Sequence, residues 1–157
     1  MLVNIRGHLI YRSEKDYSGF TTYSKILLST RSNHIHELVH GIMLPLYPEA
    51  PLLLHEGIAT YYGGGADKDY SYHVNNLKKY IVKNKINYSD LNKEIEGETS
   101  LNNIIGALII EHTLKMHGYE KVLQLFNCIE YDSIFNELGI EKEGINNWLH
   151  DLINQHE

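Results

Sequence analysis

The sequence predicts an α+β fold: a small N-terminal antiparallel or mixed β-sheet followed by a mainly α-helical body. Three observations predict it. Residues 2–11 and 20–29 are rich in β-branched and aromatic side chains, with Ser18-Gly19 marking a turn between them. Beyond them, apolar residues recur at helical spacing between capping residues and glycine stops. The composition, 43% hydrophobic and 22% charged over 157 residues, is that of an ordinary globule able to bury a core.

The elements follow in order. The run from Thr21 to Ser29 leads almost directly into a first helix over about 32–44, with Ser32 or Asn33 as N-cap. Pro45, Pro48 and Pro51 break that helix and form a loop. A second helix covers about 51–62 and stops at Gly63-Gly64-Gly65, read here as a plain stop rather than a mobile rim. Tyr70 to Asn84 is a third helix, with Lys78, Lys79 and Lys83 on its solvated face. Ser89 caps a short helix containing Leu91 and Ile95, and Ser100 caps a longer one ending at Gly118. Further helices are expected at about 119–127, 132–138 and 141–155. No repeat, low-complexity segment or linker divides the chain, so residues 1–157 read as a single domain.

Composition also excludes some functions. The formal charge is −6 and the pI about 5.9, the wrong sign for a nucleic-acid partner. A single cysteine, Cys128, allows no internal disulfide, and its apolar neighbours suggest a buried thiol. The longest apolar run, Ile104 to Ile110, is too short to span a bilayer. Residues Met1 to Arg6 carry no apolar signal-peptide core. The protein is therefore expected to be cytoplasmic if Met1 is the native start, and exported if the chain is a trimmed form.

The chemistry concentrates in His36-Glu37-Leu38-Val39-His40, an HExxH sequence. On a helix, histidines four apart project from one face and can reach one zinc ion at about 2.0–2.1 Å each. Glu37 lies beside the first of them, where its carboxylate meets the hydrolytic water rather than the metal. With 10 histidines in the chain, the pentapeptide alone would arise by chance in roughly one such chain in thirty. Its context therefore matters. Ile35, Leu38, Val39 and Ile42 give an apolar face at helical spacing, which argues for a partly buried helix.

A hydrolytic zinc site usually has three protein ligands and an open position. A third histidine six residues after the second is absent, since Leu46 stands there, and Met43 replaces the expected glycine. The alternative is a glutamate on the following helix, and Glu56 lies 16 residues after His40. The two helices can pack side by side across the proline loop, with Gly57 and Ala59 small enough for a close approach. Leu52, Ile58, Ala59 and Tyr62 mark the packed side of the second helix and carry Glu56 near it. His55 competes for the same role but points about 100° away.

His-Glu-Leu-Val-His followed by Leu54-His55-Glu56-Gly57-Ile58-Ala59-Thr60-Tyr61-Tyr62 resembles the gluzincin zinc metallopeptidases, the peptidase MA-like relatives of thermolysin and the zinc aminopeptidases. The resemblance is strong over about 24–62. It extends weakly to Gly106–His112, similar to the family's later core helix, to Gly118–Leu123, and to the helix around Trp148. It implies a zincin-like catalytic domain, Zn2+ held by His36, His40 and Glu56, and Glu37 as general base. It also implies an acidic residue where Thr60 stands, and an oxyanion-stabilising tyrosine where the chain has Leu101, Asn102 and Asn103. Asn103 can donate to an oxyanion in its place, as can Tyr61, Tyr62, Tyr70, Tyr72 or His73.

The expected function is zinc-dependent hydrolysis of a peptide or protein substrate, with the strand over 22–29 as a cleft edge. The alternative is a degenerate relative that keeps zinc for structure, or a module that binds a partner's tail.

Overall fold

The computed structural model describes residues 35–84, 86–87, 89, 91 and 100–156, together with the backbone of 2–5, 8–11, 19–21 and 27–29. From residue 35 onward the architecture is a helical bundle. Its elements are α1 (Ile35–Leu46), α2 (Leu52–Gly63), α3 (Tyr70–Lys83), α4 (Leu101–His117), α5 (Tyr119–Leu125), α6 (Tyr131–Glu137), a 3₁₀ turn (Lys142–Gly144) and α7 (Ile145–Gln155).

The expected α+β fold is thereby corrected: among the described residues of this body there is no strand. Ahead of it, the described backbone pairs only as two separate two-stranded antiparallel ladders, Leu2–Ile5 with His8–Tyr11 and Gly19–Thr21 with Leu27–Ser29. They do not join into a sheet. The β-branched and aromatic runs that suggested one report a preference for a half-buried pleated surface. A two-stranded ribbon offers too little of that surface to act as a layer. The described core is instead built by helices and their connections. The expected caps Ser32 and Asn33, the residue Ile95, and the side chains of the supposed cleft edge over 22–29 lie outside the described residues.

Helices α2 and α4 form the centre. Both are apolar on nearly every side, which is the pattern of a helix enclosed by neighbours rather than laid on a surface. On α2, Leu53, Leu54, His55, Gly57, Ile58, Ala59 and Thr60 are buried. On α4, Leu101, Asn102 and Ile104 through Ile110 are buried. The two helices meet at a pair of glycines. A Cβ on Gly57 would lie 2.4 Å from the Gly106 carbonyl carbon, and one on Gly106 would lie 2.0 Å from the Leu53 oxygen. Only hydrogen fits at either position.

The packed side expected for α2 is also corrected. Ile58 and Ala59 are buried, but Leu52 is 57% and Tyr62 53% exposed. The all-round burial of a central helix leaves no single stripe to find. On α1 most of the assignment reverses, Val39 alone of the four packing partly against the core. Ile35, Leu38 and Ile42 face outward, whereas Glu37, His40 and Met43 are buried. The polar side of α1 is the side that faces α2.

Several element limits follow from visible chemistry. Pro45 falls in the last turn of α1, and the helix stops one residue later. Ser100 caps α4 by accepting from the Asn103 backbone N–H, and Gly118, at φ +82°, closes it by donating to the Thr113 and Leu114 carbonyls at 3.1 Å. Asp69 caps α3 by accepting from the Tyr72 N–H at 2.7 Å. On α7, Ile145, Leu149, Leu152 and Ile153 form one buried stripe. Cys128 is half-buried rather than buried, and desolvation pushes its thiol pKa up. Among the described residues, no helix is long and apolar enough to cross a membrane.

Candidate metal centre

Helices α1 and α2 run antiparallel, joined by the proline loop. The start of α1 lies against the end of α2, where a Cβ on Gly63 would come 2.2 Å from the His36 backbone nitrogen. At the other end, His55 Nε2 donates to the Tyr47 carbonyl at 2.8 Å. This arrangement sets the buried side of α1 opposite Glu56.

Three side chains converge there. His36 and His40, one turn apart on α1, bring their Nε2 atoms to 3.1 Å. Glu56 Oε2 lies 3.5 Å from His36 Nε2, and Oε1 lies 3.4 Å from His40 Nε2. One ligand atom from each residue falls within 4.8 Å of the others. Four-coordinate zinc with bonds of 2.0–2.1 Å separates neighbouring ligand atoms by about 3.3–3.4 Å. Each of these separations is close to that spacing, with Glu56 meeting the two histidines through different oxygens, Oε2 toward His36 and Oε1 toward His40.

The protons strengthen the fit. His36 Nδ1 lies 2.6 Å from the Gly64 carbonyl oxygen. A carbonyl only accepts, so Nδ1 carries the hydrogen and the neutral ring leaves a lone pair on Nε2. That lone pair faces a carboxylate and a second imidazole. Electron pairs gathered this way repel unless a cation lies among them. In the metal-free chain the cation is a proton. Burial opposes charge on His36, but the hydrogen bond and charge of Glu56, helped by Gly64, raise its pKa above the usual value. Burial likewise opposes charge on Glu56, but the two histidines overcome it and hold its pKa at about 2.

Glu37 is buried beside this cluster and is not one of its three converging groups. Its charge reaches His36 and favours the protonated ring. A carboxylate next to the ligands but outside them has the placement of a proton acceptor rather than a ligand.

The other candidates go elsewhere. His55 is 3% exposed, tied to the Tyr47 carbonyl and set edge-on to Phe126, and burial lowers its pKa. It fastens the proline loop. Asn103 is engaged with Glu56: its Nδ2 donates to Oε2 at 2.9 Å, while Ser100 Oγ donates to its Oδ1 at 2.6 Å. The sequence offered Asn103 as an oxyanion donor, whereas the structure makes it a brace for the ligand carboxylate. Tyr70 donates to Glu111 at 2.8 Å, Tyr61 stacks on Tyr62 and Tyr70, Tyr72 carries Lys68 over its ring, and His73 donates to the Gly65 carbonyl. Thr60 is fully buried and its hydroxyl has no hydrogen-bond partner, so it does not replace the acidic residue.

Sequence reasoning missed the Gly64 carbonyl and the Asn103 amide as supports of His36 and Glu56. Backbone carbonyls have no side-chain signature. The Ser100-x-x-Asn103 spacing reads as a helix cap whether or not Glu56 lies beyond it. Searches against protein-family models, curated proteins and solved structures found no match to this chain.

Proposed function

We propose that this protein is a zinc-dependent peptidase of the gluzincin kind, with His36, His40 and Glu56 holding the metal and Glu37 as general base. The observation that carries the reading is the convergence of those three side chains, whose ligand atoms lie within 4.8 Å of one another, with a buried carboxylate one residue from the first. Zinc in such a site supplies Lewis acidity, polarising a scissile carbonyl and lowering the pKa of water. Glu37 takes a proton from the attacking water as its oxygen bonds to the carbonyl carbon. It then gives that proton to the departing amine as the C–N bond breaks. Gly64 and Asn103 fix the orientation of His36 and Glu56, so the ligands do not reorganise during turnover.

The test is turnover of a peptide library by wild type and Glu37→Gln. The variant should keep its metal and lose at least about 10²–10⁴-fold in rate. Cleavage at the wild-type rate overturns the role of Glu37. A second reading is a zinc-holding module without peptidase activity. The engagement of Asn103 by Glu56 favours it, because it removes the sequence's first oxyanion donor. Stoichiometric zinc with no cleavage by wild type would select that reading.

A further inference from the structure

We infer that His73 is a positioning residue for the metal centre, acting through the Gly63-Gly64-Gly65 turn to aim His36. The inference rests on the metal reading of His36 above, but its central contact exists without metal.

The turn is far from a plain helix stop. Gly63 lies so close to the start of α1 that a Cβ would meet the His36 backbone at 2.2 Å. Gly64 has φ +66°, and a Cβ there would meet the Lys68 oxygen at 2.0 Å. Space and conformation both demand glycine at Gly64, and its carbonyl is the one that holds His36 Nδ1. Gly65 then pairs with Lys68 through two backbone hydrogen bonds of 3.0 and 2.9 Å. Between them Ala66 and Asp67 sit at φ +47° and +63°, the left-handed region that a type I′ turn requires of its central pair. Non-glycine residues adopt it at a cost that surrounding structure must offset.

His73 supplies that surrounding structure. It is fully buried on α3, and its Nε2 lies 2.8 Å from the Gly65 carbonyl oxygen. The carbonyl can only accept, so Nε2 is the protonated nitrogen. Two imidazoles thus donate to consecutive carbonyls of one turn, His36 to Gly64 from α1 and His73 to Gly65 from α3. The Gly64 carbonyl shares its peptide plane with the Gly65 N–H, which Lys68 holds at 3.0 Å, and His73 holds the adjoining plane through the Gly65 carbonyl; with both planes fixed the Gly65 Cα between them cannot swing, and His36 Nε2 keeps its aim. Partners that fix a ligand histidine in this way are usually carboxylates or lone carbonyls. Here the partner is the Gly64 carbonyl, and the next carbonyl along the chain, that of Gly65, is held by a second histidine.

The experiment compares wild type, His73→Ala and His73→Gln, whose side-chain amide can still donate to the Gly65 oxygen. Two quantities are read: zinc affinity, by competition with a chelator, and the tautomer of His36 in the metal-free chain, from ¹H–¹⁵N imidazole correlations at pH 9. Wild type should show a single Nδ1–H tautomer at His36. His73→Ala should mix the tautomers and weaken zinc about 10–100-fold, and His73→Gln should restore both to near wild type. If His73→Ala does not fold, His73→Gln decides alone, since a folded Gln variant with mixed tautomers contradicts the inference. A folded His73→Ala with wild-type tautomer and zinc affinity also overturns it. A wild-type chain with the single tautomer but no zinc affinity overturns the metal reading instead, and leaves the positioning of His36 by His73 standing.

Discussion

On the proposed metal reading a proton and the metal would compete for the same cluster of His36, His40 and Glu56, which would make the site sensitive to pH. In the metal-free chain, His36 titrates above its usual 6.5, so its contact with Glu56 contributes fully below 6.5 and is lost as pH rises through the raised value. Glu56 titrates at about 2 instead of 4.5, so its contribution is present above 4.5 and fades as pH falls toward 2. The proton bridge therefore stabilises the apo protein most between pH 4.5 and 6.5. If His36 is a zinc ligand as proposed, it must lose that proton to bind, so zinc affinity should rise with pH across the same titration. Melting curves with and without zinc should show a protection that grows from pH 6 to pH 8; equal protection at both would mean that His36 is not a ligand. Asn103 belongs to this scale as well. Asn103→Ala removes the donor to Glu56 Oε2, and zinc binding should weaken about 10–100-fold with little loss of helix. Chelator competition reads the first effect and circular dichroism the second.

Among the elements, the α2–α4 crossing fixes where Glu56 and Asn103 stand relative to each other. Gly57 and Gly106 permit that crossing, and neither has room for a methyl. Gly106→Ala should destabilise by about 2–3 kcal/mol, because the obstacle is the Leu53 backbone oxygen and a helix must shift. Gly144→Ala is the control: nothing lies within 4 Å of a Cβ there, and its φ of −88° suits alanine. Denaturant unfolding of the two variants should separate them clearly; equal midpoints would mean that the crossing is loosely packed. The turn after α2 gives an opposite expectation. Asp67→Gly, at φ +63°, should raise stability by about 0.5–1 kcal/mol by relieving the left-handed residue. A drop in melting temperature would show that the Asp67 side chain contributes more than its backbone conformation costs.

Across the whole molecule, the longest helix was legible because a capping residue and a glycine stop stood at its ends. Ser100 and Gly118 are such signals, and α3 and α4 lie within a residue of their expected limits. The site was legible where spacing alone determines geometry: two histidines four apart on a helix must share a face. Packing direction was not legible. Ile35, Leu38 and Ile42 read as the buried side of α1, yet they face outward, because the site itself occupies the inner side. The expected sheet failed for a related reason, since β-propensity describes a local preference and a sheet requires partners. The glycine turn, with its two carbonyls held by His36 and His73, depends on residues brought together from three helices and has no trace in local sequence.

The central claim is that one metal ion is held by His36, His40 and Glu56. Metal analysis and zinc titration of wild type, His40→Ala, Glu56→Ala and His55→Ala test it most directly. Wild type should bind one zinc per chain, His40→Ala and Glu56→Ala should lose it, and a folded His55→Ala should keep near-normal zinc. Full zinc occupancy in His40→Ala, or zinc that depends on His55 and not on Glu56, would contradict it.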